Sequence, residues 1–185
     1  MSAADLWLCD REQSQLVIID VQERLATAMP ADCLDNIENQ IGVLLVAARQ
    51  LGIPSLHSEQ YPQGLGPTLV SLRPQLGTPV EKTCFTCSAS GTFSQRLDTA
   101  RRQIILCGIE THICVLQTAV GLLEKNYQVF VVEDGVCSRR DENRRNALER
   151  IRQAGAQITN TESVLFEWLR DASHPDFKAL SKLIR

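Results

Sequence analysis

Apolar residues along this chain follow two different spacings. Six short runs rich in branched apolar residues have the length and composition of buried strands. They lie at residues 16–20, at 53–58, around residue 80, and at 103–108, 127–134 and 156–159. Because the longer runs show no regular polar alternation, they are typical of strands in a parallel sheet that is covered on both faces.

Helical spacing of apolar residues fills most of the intervals between these runs. It predicts helices at residues 34–51, 94–101, 112–125 and 141–155, and more helix toward the C-terminus. The segment 59–78, rich in Gly, Pro and Gln, is predicted to be a long surface loop. The repeated succession of strand and helix indicates an α/β fold.

Composition narrows the classes of function. The 185 residues are 44% hydrophobic, which is enough for the core of one domain over residues 1–185. The formal net charge of -3 offers no basic field to a phosphate backbone, so we expect no nucleic-acid partner. No apolar run reaches the roughly 18 residues needed to cross a bilayer, and the acidic start does not resemble a signal peptide. We therefore expect a cytoplasmic protein without a membrane partner.

The seven cysteines are odd in number and scattered, which is not typical of a disulfide framework. We expect most of them to be reduced, and Cys33, Cys107 and Cys137 to be ordinary buried side chains. Cys84 and Cys87 form one C-x-x-C pair, but the second pair needed for a zinc site is missing and no clear helix follows. A redox dithiol is therefore the less favoured interpretation of this pair.

Three reactive side chains are expected at the carboxyl ends of the strands, where ligands bind in α/β sheets. Asp20 ends the first run, Lys82 follows the third, and Cys114 lies in the first turn of the helix after the fourth. A helix N-terminus and a nearby ammonium lower the pKa of a thiol, so this placement predicts an accessible thiolate near neutral pH. Asp20 is suited to move the proton and Cys114 to attack, while N–H groups at the helix start could bind an oxyanion.

Four segments, in this order, strongly resemble the isochorismatase-like cysteine hydrolases. They are LVIIDVQERL, EKTCFTC, GIETHICVLQTAV and VVEDGVCSRR, and the likeness covers residues 16–158. The resemblance implies a catalytic triad of Asp20, Lys82 and Cys114. It also implies a three-layer α/β/α sandwich with a six-stranded, mostly parallel sheet, assembled into homo-oligomers.

The expected strand order, 3-2-1-4-5-6, separates the first and third strands by about 10 Å at a spacing of roughly 4.8 Å per strand. Lys82 must therefore lean inward to reach Asp20. The resemblance also implies a cis peptide bond between Ile109 and Glu110, which would aim the N–H groups of Glu110 and Cys114 at the oxyanion.

Three further residues are candidates for contact with a substrate. Leu25 and Phe85 match positions where the family places apolar or aromatic substrate contacts, and Tyr61 lies in the long loop. Ordinary core packing is the alternative interpretation of Leu25 and Phe85.

One branch of the family, the nicotinamidases, binds a divalent metal through an Asp-x-His and a further His after the second strand. This chain has only His57 and Glu59 there, which are too few ligands for a metal site. We expect no metal, no other cofactor and no nicotinamidase activity. The segments EQYPQGLGPT and ETHICVLQTA look most similar to the metal-free branch of isochorismatase domain-containing proteins, many of which have no assigned substrate.

Other motifs are weaker signals. His112 lies two residues before Cys114, and such positions point in different directions on a helix, so a Cys-His dyad is not expected. His174 lies in a polar tail. Gly64 and Gly66 neither follow a strand directly nor open a helix, as a phosphate-binding loop would.

The sequence therefore predicts a cysteine hydrolase of a small molecule, which cleaves an amide or carbamoyl C–N bond through a thioester intermediate. A non-enzymatic scaffold or interaction protein on the same fold is the alternative. A nucleotide-binding Rossmann domain is disfavoured, because no G-x-G-x-x-G follows the first strand.

Overall fold

Alternate residues of the first strand belong to two different hydrophobic cores. In β1 (Ser14–Ile19), Leu16 and Ile18 pack into one core, whereas Val17 and Ile19 pack into the other. Successive side chains of a strand point to opposite faces of the sheet, so each core covers one face. The unbroken apolar run in the sequence thus forms a strand that is buried on both sides.

The computed structural model describes residues 7–184, and six strands in this range form one sheet. After β1, the strands are β2 (Ser55–Gln60), β3 (Val80–Lys82), β4 (Gln103–Ile109), β5 (Gln128–Cys137) and β6 (Gln157–Thr159). Their order is β3-β2-β1-β4-β5-β6, and every neighbouring pair is parallel. The predicted order 3-2-1-4-5-6 is confirmed.

Helices cover both faces of this sheet. They are α1 (Glu23–Ala26), α2 (Ala31–Gln50), α3 (Pro62–Leu65), α4 (Gly91–Arg96), α5 (Leu116–Glu124), α6 (Asp141–Gln153), α7 (Thr161–Leu169) and α8 (Phe177–Leu180). Residues of α2, α7 and α8 join the core around Leu16, and residues of α4, α5 and α6 join the core around Val17. This is the expected three-layer arrangement. Within residues 7–184, no helix combines the length and apolar composition needed to cross a membrane.

Some predicted boundaries are wrong. A π-helical turn, Thr111–Val115, precedes α5, so Cys114 lies in that turn rather than in a regular first turn of α-helix. Helix α4 ends at Arg96, earlier than predicted, because the next residue is extended. The segment 59–78 is not loop throughout, since it contains the end of β2, the helix α3 and a 3-10 turn at Arg73–Gln75.

Cys33 and Cys137 form a disulfide, which corrects the expectation that both are free. Cys33 lies in the first turn of α2 and Cys137 is the last residue of β5, and their Cα atoms are 6.3 Å apart. This distance is ordinary for a cystine. The spacing of cysteines along the chain could not reveal the pair, because it depends on α2 packing against β5. The other cysteines are free: Cys9, Cys84, Cys87, Cys107 and Cys114.

Cys33→Ser is expected to lower the free energy of unfolding by about 2–4 kcal/mol, because the disulfide closes a long loop in the unfolded chain. The two cysteines are 104 positions apart. Urea titrations of the parent and the variant without reductant measure this difference. Thiol titration of the unfolded, unreduced parent should count five free thiols. A count of all seven, or equal urea midpoints for the two proteins, would contradict the pairing.

Candidate active site

A buried ion pair joins the ends of two strands that are not neighbours. Asp20 directly follows β1 and Lys82 is the last residue of β3, while β2 lies between these strands. The Lys82 Nζ atom is 2.7 Å from Asp20 Oδ2, and both side chains are fully buried. The lysine side chain therefore leans across β2, as the spacing of the strands requires.

Every N–H group of the Lys82 ammonium has an acceptor. Besides its bond to Asp20, it donates to Gln60 Oε1 at 2.7 Å and to the Phe85 carbonyl oxygen at 3.2 Å. An ammonium has three N–H donors, so these acceptors use all of them. Burial would lower the pKa of Lys82, but Asp20, together with Cys87 and Cys114, outweighs burial and the pKa is raised. Lys82 is therefore a fixed cation whose charge balances that of Asp20.

The other oxygen of Asp20 is held by β2. Ser58 Oγ donates to Asp20 Oδ1 at 2.7 Å, and the Cys87 thiol donates to Ser58 Oγ at 3.4 Å. Ser58 and Gln60 are two positions apart on β2, so their side chains share a face and reach the two members of the ion pair. Sequence reasoning does not single out either residue. The available signal is a pair of polar residues at the carboxyl end of a buried strand.

Cys114 lies within reach of the same carboxylate. The residue is only 4% exposed, and the Asp20 carboxylate acts electrostatically on its thiol. Burial and the negative charge of Asp20 raise the pKa of this thiol, and Lys82 offsets only part of that effect. The predicted accessible thiolate with a lowered pKa is therefore wrong, because the thiol is buried and Asp20 already neutralises the ammonium that would stabilise a thiolate. The resting state is a neutral thiol beside a base.

Cys87 is also a protonated, buried thiol. Burial, with a further contribution from Asp20, raises the pKa of Cys87 to about 11. The Cys87 N–H group donates to Thr118 Oγ1 at 2.9 Å, whereas Cys84 is partly exposed. A redox dithiol needs a thiolate of lowered pKa, which this environment does not favour.

Gly108 allows β4 to approach the end of β1. A Cβ atom on this residue, whose φ is +122°, would lie 2.1 Å from the carbonyl oxygen of Ile19. Only glycine fits a site with this φ and this close backbone contact.

The chain then passes through a cis peptide bond between Ile109 and Glu110. The Glu110 carbonyl oxygen accepts from the Val115 N–H group at 3.3 Å, which starts the π-helical turn.

The Glu110 side chain anchors this turn to the segment after β5. It accepts a hydrogen bond from the Arg139 N–H group at 2.9 Å, and Arg139 Nη2 is 2.6 Å from Glu110 Oε1. The Glu110 side chain is buried, whereas about half of the Arg139 side chain is exposed. Burial would raise the pKa of Glu110, but the hydrogen bonds and charge of Arg139 outweigh it and lower the pKa.

Glu110→Gln is expected to lose less stability than the parent protein as the pH falls. Because the folded pKa is depressed, the Glu110 carboxylate contributes stability above its ordinary value of 4.5, and this contribution is lost as pH falls through the lower folded value. At neutral pH the variant should lose about 1–3 kcal/mol, since Arg139 keeps only part of its bonding.

Urea midpoints at neutral pH and at several acidic pH values measure both effects. Glu142→Gln, an exposed change on α6, is the matched control and should behave like the parent. Midpoints that fall in parallel for the parent and Glu110→Gln would contradict this account of the pair.

His112 and His174 make contacts that do not involve the proposed triad. His112 Nδ1 is 3.0 Å from Ser138 Oγ, and His112 Nε2 is 3.4 Å from Asn143 Nδ2. His112 thus links the π-helical turn to the start of α6. His174 Nε2 is 2.8 Å from Arg11 Nη1, in the polar C-terminal segment.

Two exposed aromatic residues lie close to Lys82. Tyr61 is 54% and Phe85 53% exposed. The Tyr61 N–H group donates to the Lys82 carbonyl oxygen at 2.8 Å, and the Phe85 carbonyl oxygen accepts from Lys82 Nζ. The Tyr61 ring lies against Gly64, where a Cβ atom would be 2.4 Å from the ring. Leu25, in contrast, is partly buried against the core around Leu16. Contact with a substrate stays a prediction for Leu25, Tyr61 and Phe85.

The segment after β2 is fixed by buried hydrogen bonds. Gln22 donates to the carbonyl oxygens of Gln60 and Gly66 at 3.0 and 2.6 Å, and accepts from the Gln60 N–H group at 2.7 Å. Glu59 Oε1 accepts from the N–H and hydroxyl groups of Thr68 at 2.7 and 2.8 Å.

Across residues 7–184, no three His, Cys, Asp or Glu side chains are grouped so as to hold a metal ion.

Comparisons with known proteins agree with this architecture. The sequence model of the Isochorismatase domain matches residues 14–163. Isochorismatase domain-containing protein 2A of Mus musculus is 41% identical over 176 residues, which cover 94% of this chain and 84% of that protein.

Solved structures give the same result. A protein described as MAR1 ribonuclease, from Caenorhabditis elegans, is 36% identical with a TM-score of 0.89, and the match covers 96% of this chain and 92% of that one. The YCAC gene product of Escherichia coli, described as an octameric hydrolase of unknown specificity, is 23% identical with a TM-score of 0.87. That match covers 96% of this chain and 89% of the E. coli chain, and it supports the fold alone.

Proposed function

This chain belongs to the isochorismatase domain family, and we propose that it is a cysteine hydrolase that acts on a small molecule through Cys114. One observation carries the proposal. Lys82 Nζ is 2.7 Å from Asp20 Oδ2, and the same carboxylate acts electrostatically on the buried Cys114 thiol. A nucleophile, a base and a fixed cation therefore share one buried site, as nucleophilic catalysis requires.

The neutral state of the Cys114 thiol determines how the first step runs. As the S–C bond to the carbonyl carbon forms, the S–H bond breaks and Asp20 takes the proton. The carbonyl oxygen becomes an oxyanion, for which the N–H groups of Glu110 and Cys114 are the proposed donors. Lys82 does not touch the substrate in this scheme, because its three N–H groups are already bonded.

The second half of the reaction returns this proton. Protonated Asp20 donates it to the leaving nitrogen, the C–N bond breaks, and the acyl group stays on Cys114 as a thioester. Water then attacks the thioester with Asp20 as the base, which releases the acid and restores the thiol.

We propose a small amide or carbamoyl compound as the substrate, because only 4% of the nucleophile is exposed to an incoming molecule. Tyr61 and Phe85 are the proposed contacts for its apolar part. We also propose that the protein is a homo-oligomer, acts in the cytoplasm and needs no resident metal or other cofactor. Each of these stays a prediction.

A panel of small primary amides and carbamoyl compounds tests the proposal, with release of ammonia as the signal and Cys114→Ala as the blank. We expect the parent to consume at least one compound that the variant leaves intact. If no compound is consumed and all free thiols react with iodoacetamide at one slow rate, the non-enzymatic scaffold is favoured instead.

The name of the C. elegans neighbour gives a second candidate, the cleavage of RNA. The net charge of -3 does not favour it, because binding of a phosphate backbone relies on basic residues. Incubation with a labelled single-stranded RNA should leave the RNA intact. Cleavage by the parent that is lost in Cys114→Ala would replace the amide hydrolase proposal.

A further inference from the structure

Ser58 makes a buried hydrogen bond to the base of the proposed reaction. Its Oγ atom donates to Asp20 Oδ1 at 2.7 Å and accepts from the Cys87 thiol at 3.4 Å. A carboxylate only accepts hydrogen bonds, so the single hydroxyl proton of Ser58 is committed to Asp20. Ser58 itself is buried in the middle of this network.

Two donors on different oxygens fix the orientation of the Asp20 carboxylate. A carboxylate rotates easily about its bond to Cβ, because that torsion has broad energy wells. Lys82, on β3, places its Nζ atom 2.7 Å from Asp20 Oδ2, and Ser58, on β2, places its Oγ atom 2.7 Å from Asp20 Oδ1. Rotation would break both bonds, so the carboxylate keeps one orientation.

We propose that Ser58 is a positioning residue that keeps Asp20 oriented to take the proton of Cys114. The inference rests on the proposed function, since it assigns to Ser58 a part in the activation of the same thiol. It explains why a hydroxyl lies at the carboxyl end of β2, where the neighbouring positions in β1 and β4 are apolar or glycine. In the sheet register, Ser58 pairs with Ile19, and Ile19 pairs with Gly108.

The test compares Ser58→Thr with Ser58→Val, because threonine and valine have the same shape and differ in the hydroxyl. Packing changes are therefore matched within the pair, and both residues suit a strand. The readout is the rate at which iodoacetamide alkylates Cys114 at neutral pH, located by peptide mass spectrometry. Melting temperatures establish that both variants fold, and Ser55→Ala, at the exposed start of β2, is the control.

We expect Ser58→Thr and Ser55→Ala to react at close to the parent rate. Ser58→Val should react roughly tenfold more slowly, the effect expected for loss of one hydrogen bond to a charged group. The comparison is then repeated in an Asp20→Asn background, where Thr and Val at position 58 should react equally, because residues that act through one partner are not additive.

Two results would overturn this inference alone. One is equal rates for Ser58→Thr and Ser58→Val in the parent background, and the other is an equally large difference in the Asp20→Asn background. If Asp20→Asn itself leaves the alkylation of Cys114 unchanged, Asp20 is not the base, and the proposed function fails together with the inference.

Discussion

Cys114→Ala abolishes turnover of any substrate that the amide panel identifies, with an expected loss on the order of 10⁶-fold, as for removal of the nucleophile from a hydrolytic triad. The loss follows because the other groups of the site cannot replace the nucleophile. Lys82 has no free N–H or lone pair, and Asp20 is held by two donors. The Cys87 thiol is fully buried and donates to Ser58. The measurement is the rate of product formation at saturating substrate.

The fold should survive this change, because the cysteine side chain is small and alanine removes only its sulfur atom. Cys84→Ala is the matched control, because Cys84 is a free and more exposed cysteine in the neighbouring segment. It should retain full activity. Activity that persists in Cys114→Ala, or disappears in Cys84→Ala, would rule out the assignment of the nucleophile.

Lys82→Met is expected to lower the free energy of unfolding by about 3–5 kcal/mol, because it leaves the carboxylate of Asp20 buried without its counter-ion. Both side chains of this pair are fully buried, so water cannot replace the lost partner. Urea denaturation measures the change, and Lys178→Met, at an exposed position of α8, should have little effect.

The double variant Asp20→Asn/Lys82→Met separates stability from catalysis. With both charges removed, most of the lost stability should return, because neither side chain then carries an uncompensated charge. Activity should not return, since the base is gone. If the double variant is less stable than Lys82→Met alone, the buried pair does not have the energetics assigned to it.

The same pair predicts a dependence of stability on alkaline pH. The pKa of Lys82 in the folded protein is raised above its ordinary value of 10.5, so the contribution of its charge is fully present below that value. It is lost as the pH rises through the higher folded value. Lys82→Met should not show this loss.

The convergence of Asp20, Lys82 and Cys114 could be anticipated from the sequence for a simple reason. Each follows or ends an apolar run, and the carboxyl ends of parallel strands share one edge of the sheet. The runs alone therefore placed all three side chains at that edge, and the motifs supplied the strand order. The 2.7 Å bond from Lys82 to Asp20 also shows that a short edge strand can place a side chain at the end of a central strand.

Other features of the site could not be anticipated because they depend on distances between elements. The pKa of Cys114 is a balance between burial, Asp20 and Lys82, and it is raised because burial and Asp20 outweigh Lys82. The disulfide of Cys33 depends on the packing of α2 against β5. Local sequence contains neither fact, so the positional argument about the helix start gave the wrong direction for the thiol.

The most direct test of the whole account is the mass of the protein during turnover. Samples quenched in acid while a substrate of the panel is being consumed are analysed intact and then as peptides. The account predicts one acyl group per chain, carried by the peptide that contains Cys114 and absent from Cys114→Ala. An acyl group on a different residue, or steady turnover with no adduct on the chain, would contradict it.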